Sequence, residues 1–283
     1  MKVNTTIDEM RRACRSARQS GRRLGLVPTM GALHEGHLSL VRSARASCDV
    51  VAVSIFVNPT QFGPNEDLAK YPRSFERDRE MLEQEGVDLL FVPSVEEMYP
   101  VGAATWVTVE GLSGKLDGRT RPTHFRGVTT VVAKLFHIVE PDVAFFGQKD
   151  AAQVAIIRRM VRDLNLPVEI VACTIVREAD GLAMSSRNAY LDAQQRKQAL
   201  VLYRSLMRVQ QLVDAGEQSA AKLVAAGREE FAAESKVRLD YFEIVDPETL
   251  DPIGDISQGA LVAVAAFVGS TRLIDNLPLN SSD

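Results

Sequence analysis

The stretch Leu24-Gly25-Leu26-Val27-Pro28-Thr29-Met30-Gly31-Ala32-Leu33-His34-Glu35-Gly36-His37-Leu38-Ser39-Leu40-Val41 changes its hydrophobic period part-way along. Leu24 to Val27 is a short apolar run, whereas Leu38, Leu40, Val41 and Ala44 recur at helical spacing, so a strand turns into a helix here. Gly31 and Gly36 let backbone approach a ligand closely, and the first helical turn offers N–H groups at the positive end of its dipole. An anion is favoured at such a place. Residues at i and i+3 share a helix face, so His34 and His37 can both aim ring N–H donors at one triphosphate. His-x-x-His also suits a metal, but no carboxylate or thiol cluster accompanies it, and these two are half of the four histidines.

The same alternation continues outward. Strand-like runs at Leu24 to Val27, Val50 to Val57, Asp88 to Val92, Val143 to Phe146 and Val168 to Ala172 interleave with helical patterns. Those patterns cover Gly36 to Ala46, Phe75 to Glu85, Arg126 to Val139 and Ala151 to Asp163. Right-handed βαβ units in a mostly parallel α/β sheet follow, with ligands expected beyond the carboxyl ends of the strands. After about Val176 a polar loop leads into long helices, Asp192 to Ala215 and Ser219 to Glu234, and two strands, Leu239 to Val245 and Leu261 to Val268, close the chain. The expected organisation is therefore a domain of residues 1–176 and a smaller α+β domain of residues 177–283. The polar tail Asn280-Ser281-Ser282-Asp283 is expected to fray.

With 283 residues, 46% hydrophobic and 25% charged, the chain has material for a sizeable core. Its 33 basic and 37 acidic side chains leave a formal charge of −4, so nucleic acid is not the expected partner. The arginines between Arg11 and Arg23 lie on an early amphipathic helix begun by a Thr6-x-x-Glu9 capping box, where a solvated face explains them. Cys14, Cys48 and Cys173 are odd in number and far apart, which fits a reducing compartment. No signal-type apolar core opens the chain, and Ala260 to Val268 is too short to span a bilayer. A soluble, cytoplasmic protein without membrane contact is expected.

Three further motifs carry chemistry. Val53-Ser54-Ile55-Phe56-Val57-Asn58-Pro59-Thr60-Gln61-Phe62 is an apolar run stopped by Pro59, leaving the Asn58 and Gln61 amides to serve a small hydroxylated ligand. A plain strand-end turn explains these residues equally well. Phe145-Phe146-Gly147-Gln148-Lys149-Asp150-Ala151-Ala152-Gln153 also leaves a strand and enters a helix. Lys149 can set an ammonium on a reacting phosphate and Asp150 suits an N-cap or a ribose hydroxyl, although a capped helix with a surface lysine is the simpler account in isolation. In Asp180-Gly181-Leu182-Ala183-Met184-Ser185-Ser186-Arg187-Asn188, two hydroxyls and a guanidinium form a flexible set of phosphate donors suited to a closing loop.

His34-Glu35-Gly36-His37 resembles the HIGH motif, and Met184-Ser185-Ser186-Arg187 the KMSKS loop, of adenylate-forming nucleotidyl transferases. The longer strings Pro28 to His37, Phe56 to Phe62, Arg121-Pro122-Thr123-His124-Phe125-Arg126-Gly127-Val128 and Gly181 to Asn188 resemble the pantothenate synthetase family specifically. The similarity runs through essentially the whole chain to Arg272-Leu273-Ile274-Asp275-Asn276. It implies a Rossmann-like doubly wound parallel sheet with a second, smaller α+β domain acting as a lid. It also implies a two-step ligation in coenzyme A biosynthesis. Pantoate attacks the α-phosphorus of ATP, giving pantoyl adenylate and pyrophosphate, and β-alanine then displaces AMP.

The resemblance places the ATP contacts on Met30, Gly31, Ala32, Leu33, His34, Glu35, Gly36, His37, Gly147, Gln148, Lys149, Asp150, Val176, Met184, Ser185, Ser186 and Arg187. Among these, His34, His37, Lys149, Ser185, Ser186 and Arg187 are the expected catalytic residues. Pantoate is placed on Gln61 and Gln153 with Asn58 in support, and Mg2+ enters mainly through ATP phosphates, assisted by Asp78. A homodimer is implied as well. The chemistry fits: the first nucleophile is already a carboxylate, so positioning and charge stabilisation carry the step, and glutamine amides orient an acid without a full positive charge.

Some positions depart from the family pattern. Gln148 stands for an acid, Ala151 and Ala152 for an aromatic and a glutamine, and Thr60 for a methionine. Two rival functions are a nucleotidyltransferase acting on a phosphorylated acceptor and a nucleotide-binding regulator. His124 is read either as lining the pantoate site or as a structural joint, His137 as a helix-face residue, and Trp106 as part of a strand packing surface.

Overall fold

The computed structural model describes residues 1–64 and 66–279, so the polar tail from Asn280 to Asp283 lies outside the described residues. In chain order the elements are β1 (Lys2–Asn4), α1 (Ile7–Gln19), β2 (Leu24–Thr29), α2 (Glu35–Ser47), β3 (Val50–Ile55), α3 (Phe75–Gln84), β4 (Leu89–Phe91), α4 (Val95–Met98) and α5 (Asp117–Thr120). They continue as α6 (His124–Val139), β5 (Val143–Gly147), α7 (Ala151–Asp163), β6 (Glu169–Cys173), α8 (Ala193–Asp214), α9 (Ala220–Ala232), β7 (Val237–Val245), β8 (Ala260–Val268) and β9 (Thr271–Leu279). Two compact units result: residues 1–114, 118–147 and 156–174 form one, and 115–117, 148–155 and 175 onward the other.

The first unit is built on six parallel strands in the order β1-β4-β3-β2-β5-β6. From β2 the chain winds outward through β3 and β4, then returns to place β5 on the other side of β2. The winding therefore reverses between β2 and β5, the place where open α/β sheets bind ligands. Leu40, Val41 and Ala44 of α2 are buried with Val27, Val53 and Leu90 in one apolar cluster, which fixes the helix on the sheet. Strand β2 runs two residues further than its apolar run because it keeps pairing with β3 through Pro28 and Thr29. Pro28 lies beyond the Gly25–Leu26 register shared with β5, so its missing N–H faces no strand on that side.

The second unit packs α8 and α9 on an antiparallel sheet, β7-β8-β9, around Leu202, Leu206, Leu223, Phe242, Val262 and Val264. The strands and helices expected from the apolar periods are present, each within two residues of its expected ends, and the Thr6–Glu9 capping box opens α1. Two strands, β1 and β9, go beyond those expectations. Strand β1 is three residues long and pairs only with β4, too short for a period to register. Strand β9 buries three polar residues, Thr271, Asp275 and Asn276, which masks the alternation. Trp106 needs correction too: it lies outside any strand, 43% exposed, with the Arg126 guanidinium 4.7 Å above its ring.

Candidate active site

His34 is the N-cap of α2, its backbone extended at φ −144° and ψ 176°. Its Nδ1 accepts from the Gly36 N–H at 3.2 Å, while His37 Nδ1 accepts from the His34 N–H at 3.3 Å. These are the reciprocal bonds that a capping box usually draws from Ser and Glu. The rings lie with centroids 4.2 Å apart at 46°. Because each Nδ1 accepts, the proton of each neutral imidazole is assigned to Nε2, and both donors are oriented by the same helix start. Glu35 points elsewhere, pairing with Arg42 on the exposed face of α2.

Gly31 at φ +80° and Ala32 at φ +52° turn the chain between β2 and α2. A Cβ on Gly31 would sit 3.1 Å from Asp78 Oδ2, so the close approach here is between parts of the protein. Asp78, 1% exposed, accepts from the Ala32 N–H at 2.8 Å, the Leu33 N–H at 2.9 Å and the Ser74 hydroxyl at 3.1 Å. The amides of Ala32 and Leu33, two residues that the family resemblance implies as ATP contacts, are thus donated to this carboxylate, and the Leu33 side chain is buried. Sequence reasoning missed that partnership because Asp78 lies 45 residues from Leu33.

Asn58 caps a single 3-10 turn after β3, Pro59–Gln61, and Gln61 is its last residue. Asn58 Nδ2 donates to Gln61 Oε1 and to the Gly127 carbonyl, both at 3.1 Å, and Gln61 Nε2 donates to Met30 Sδ at 3.0 Å. Asn58 Oδ1 in turn accepts from the Thr60 N–H at 3.3 Å, the Thr60 hydroxyl at 2.8 Å and the Tyr99 hydroxyl at 2.9 Å. The Gln61 carbonyl is held by Arg121 at 3.3 Å and sits 2.9 Å from His124 Nδ1. His124 therefore serves as a joint between α6 and this turn. Arg121 also makes a two-pronged pair with Glu66, at 2.8 and 2.6 Å. Burial pushes the Glu66 carboxyl up, but the hydrogen bond and charge of Arg121 prevail and hold it below the usual range.

Gly127 carries no role in the sequence motif, and the structure supplies one. A Cβ there would come within 2.4 Å of the Thr60 carbonyl oxygen and 2.6 Å of the Gln61 nitrogen, so only glycine lets α6 pack on this turn. Tyr99 carries no sequence signal at all.

In the second unit, Gln148, Lys149 and Asp150 form one 3-10 turn leading into α7. Asn276 of β9 clamps it: its Nδ2 donates to the carbonyls of Gln148 and Lys149, each at 2.9 Å, and its Oδ1 accepts from Gln148 Nε2 at 3.1 Å. Lys149 Nζ stands 3.5 Å from Asp150 Oδ1. Gln153 is partly buried on α7 beside the buried Ala151 and Ala152. The neighbouring Asp275 binds Arg177 through both oxygens, at 2.6 and 3.0 Å; burial raises its carboxyl above the ordinary aspartate range although Arg177 pulls it down.

The Ser-Ser-Arg loop is braced. The Val176 carbonyl accepts from the Met184 N–H at 3.0 Å, Arg177 pairs with Ala183 in a β-bridge, and Arg196 binds Glu178 and Asp180, each at 2.7 Å. Ser185 caps the 3-10 helix Ser186–Tyr190, its hydroxyl accepting from the Arg187 N–H at 3.2 Å. Among the described residues no group of three His, Cys, Asp or Glu side chains could hold a metal ion, and no helix is long and apolar enough to cross a membrane.

A family model described as pantoate-beta-alanine ligase matches residues 2–278. Pantothenate synthetase of Koribacter versatilis is 64% identical, over 100% of this chain and 97% of the relative. That of Thermotoga neapolitana is 58% identical, over 98% and 99%. Among solved structures, pantothenate synthetase of Thermus thermophilus superposes with a TM-score of 0.94 at 50% identity, covering 99% of this chain and 100% of the other. The pantoate-beta-alanine ligase of Francisella tularensis, in complex with beta-gamma ATP and beta-alanine, gives 0.79 at 32% identity, covering 98% and 97%.

Proposed function

The chain belongs to the pantoate-beta-alanine ligase family, and from that premise we propose how its residues share the work. The reaction condenses pantoate with β-alanine at the expense of ATP. In the first step a carboxylate oxygen of pantoate bonds to the α-phosphorus and pyrophosphate leaves with its electron pair. In the second, the β-alanine amine bonds to the acyl carbon, AMP departs, and the amine proton passes to an acceptor.

His34 and His37 donate from Nε2 to phosphate oxygens, where negative charge accumulates as the first step proceeds. The reciprocal histidine cap carries this reading, because it fixes both donors before the nucleotide arrives, and donors that need no reorganisation stabilise charge most effectively. Lys149 supplies a full positive charge from a turn anchored by Asn276. The hydroxyls of Ser185 and Ser186 with the Arg187 guanidinium cover the phosphates, and Gly147, Gln148, Asp150, Val176 and Met184 complete the nucleotide's surroundings. Gln61 and Gln153 orient pantoate as neutral donors, so its carboxylate keeps its nucleophilicity. Asn58 holds Gln61.

Magnesium fits this chain as a companion of ATP and not as a resident ion. Asp78 has its oxygens engaged by two amides and a hydroxyl, and we assign it to the loop that carries His34. Magnesium keeps several waters and takes phosphate oxygens readily, so it needs no carboxylate cage. Its chemistry when bound is charge neutralisation on the phosphates. Free cysteines at 14, 48 and 173 support a cytoplasmic setting, and a homodimer completes the proposal, to be read by sedimentation of the full chain.

The deciding experiment measures pyrophosphate and AMP separately. Pyrophosphate release is expected with ATP and pantoate alone, AMP release only once β-alanine is added. Lys149→Gln should slow pyrophosphate release by about a hundredfold or more with an unchanged melting temperature. Wild-type turnover in that variant would remove Lys149 from the mechanism.

A further inference from the structure

We propose that Tyr99 and Thr60, acting through Asn58, are positioning residues that fix the polarity of Gln61, so that this glutamine meets the acid substrate only as an N–H donor. The inference rests on the reading that Gln61 touches pantoate.

Two backbone groups decide which way Asn58 faces. The Thr60 N–H, 3.3 Å from Asn58 Oδ1, can only donate, and the Gly127 carbonyl, 3.1 Å from Nδ2, can only accept. The Asn58 amide therefore cannot be turned over without losing both. Its NH2 faces Gln61, which must answer with Oε1 at 3.1 Å, and this leaves the Gln61 NH2 pointing away, toward Met30 Sδ. The hydroxyls of Thr60 and Tyr99 add two donors to Asn58 Oδ1, at 2.8 and 2.9 Å, and resist rotation further. Phe56 lies against Tyr99 with ring centroids 6.2 Å apart, and Lys134 Nζ stands 5.6 Å from the ring centroid. Burial raises the Tyr99 phenol above its ordinary range, so it remains protonated and donating.

The consequence is selectivity for an anion without a cation. A carboxylate presents only lone pairs, whereas its carboxamide presents a donor as well, and a glutamine locked as donor favours the first. A lysine or arginine would make the same choice while stabilising the carboxylate that has to attack. The polarity lock separates recognition of charge from quenching of the nucleophile.

The test compares pantoate with its carboxamide as a competitive inhibitor in the full-length enzyme. Asn58→Asp deletes the NH2 that Gln61 answers, so the new carboxylate draws Gln61 Nε2 inward and turns Oε1 toward the substrate. The KM for pantoate is expected to rise by about a hundredfold, with the carboxamide losing at least about tenfold less, because a donor has become an acceptor. The KM for ATP should stay within about twofold. Tyr99→Phe keeps the shape and removes one donor; it should raise the pantoate KM about fivefold with kcat nearly constant. Equal weakening of acid and carboxamide, or a parallel rise in the KM for ATP, marks general loosening and overturns the polarity lock. If Asn58→Asp does not fold, the Thr60→Val/Tyr99→Phe double variant decides on the same ratio, and an unchanged ratio overturns it. Gln61→Ala separates the two layers. If it leaves the pantoate KM unchanged, the contact with pantoate fails and the lock with it. If it raises that KM while the other variants leave the ratio unmoved, only the lock fails.

Discussion

Replacing His34 by asparagine separates the two jobs of that side chain. As N-cap, His34 satisfies the Gly36 N–H with Nδ1 at 3.2 Å and packs its ring 4.2 Å from that of His37. Asparagine is among the best N-cap residues, so His34→Asn restores the cap through Oδ1 and loses only the ring contact, worth about 0.5–1.5 kcal/mol. His34→Ala loses both, adding about 1 kcal/mol for the cap. On a chain of this size the difference between the variants should appear as about 2–4 °C in melting temperature, with asparagine the more stable. Neither keeps an Nε2–H, so pyrophosphate release with saturating ATP and pantoate should fall in both by about a hundredfold or more. Melting curves and a pyrophosphate assay on both proteins are sufficient. An asparagine variant as active as wild type refutes the phosphate-donor role, and one no more stable than alanine refutes the capping account.

Gly127→Ala drives a Cβ to within 2.4 Å of the Thr60 carbonyl oxygen; the α6 interface must open, costing about 1–3 kcal/mol, and the pantoate kcat/KM should fall about a hundredfold as Gln61 shifts. Wild-type values of both quantities would contradict that packing. Asp78→Asn leaves a donor facing one of the Ala32 and Leu33 amides and should lower stability by about 2–4 kcal/mol, while the magnesium concentration for half-maximal rate moves less than about twofold. A tenfold shift in that concentration would restore Asp78 to the metal. Glu66 titrates below its unfolded value of 4.5, so its contribution is fully present above that pH and is lost as the pH falls through the folded value. Arg121→Gln should therefore flatten the acid side of the stability–pH curve, and identical slopes for both proteins across that acid range would disprove the coupling.

The parallel sheet and its strand-to-helix turn after β2 were legible because apolar period and strand-end motifs agreed at each step, from Leu24–Val27 through Phe145–Gly147. What escaped had its cause in distance or in inward polarity. Tyr99 reaches Asn58 across 41 residues and Asp78 reaches Ala32 across 46, and no local pattern marks either pair. Strand β9 buries the adjacent residues Asp275 and Asn276, one on each face, to serve Arg177 and Gln148, which breaks the apolar alternation that Leu273 and Leu279 begin. The Ser-Ser-Arg segment reads as a flexible loop because its bracing residues, Arg177, Glu178 and Arg196, flank the motif and carry no signal of their own.

The clamp by Asn276 has a consequence for the order of events during synthesis. Asn276 follows Gln148 by 128 residues, so a nascent chain carries both histidines and the lysine long before the lysine's turn can be fixed. Domains form as their residues emerge, amino-terminal parts first. The turn of Lys149 is thus completed only after a further 127 residues have been added to the chain. An unfinished chain that has already folded its parallel sheet still lacks the anchor for its positive charge.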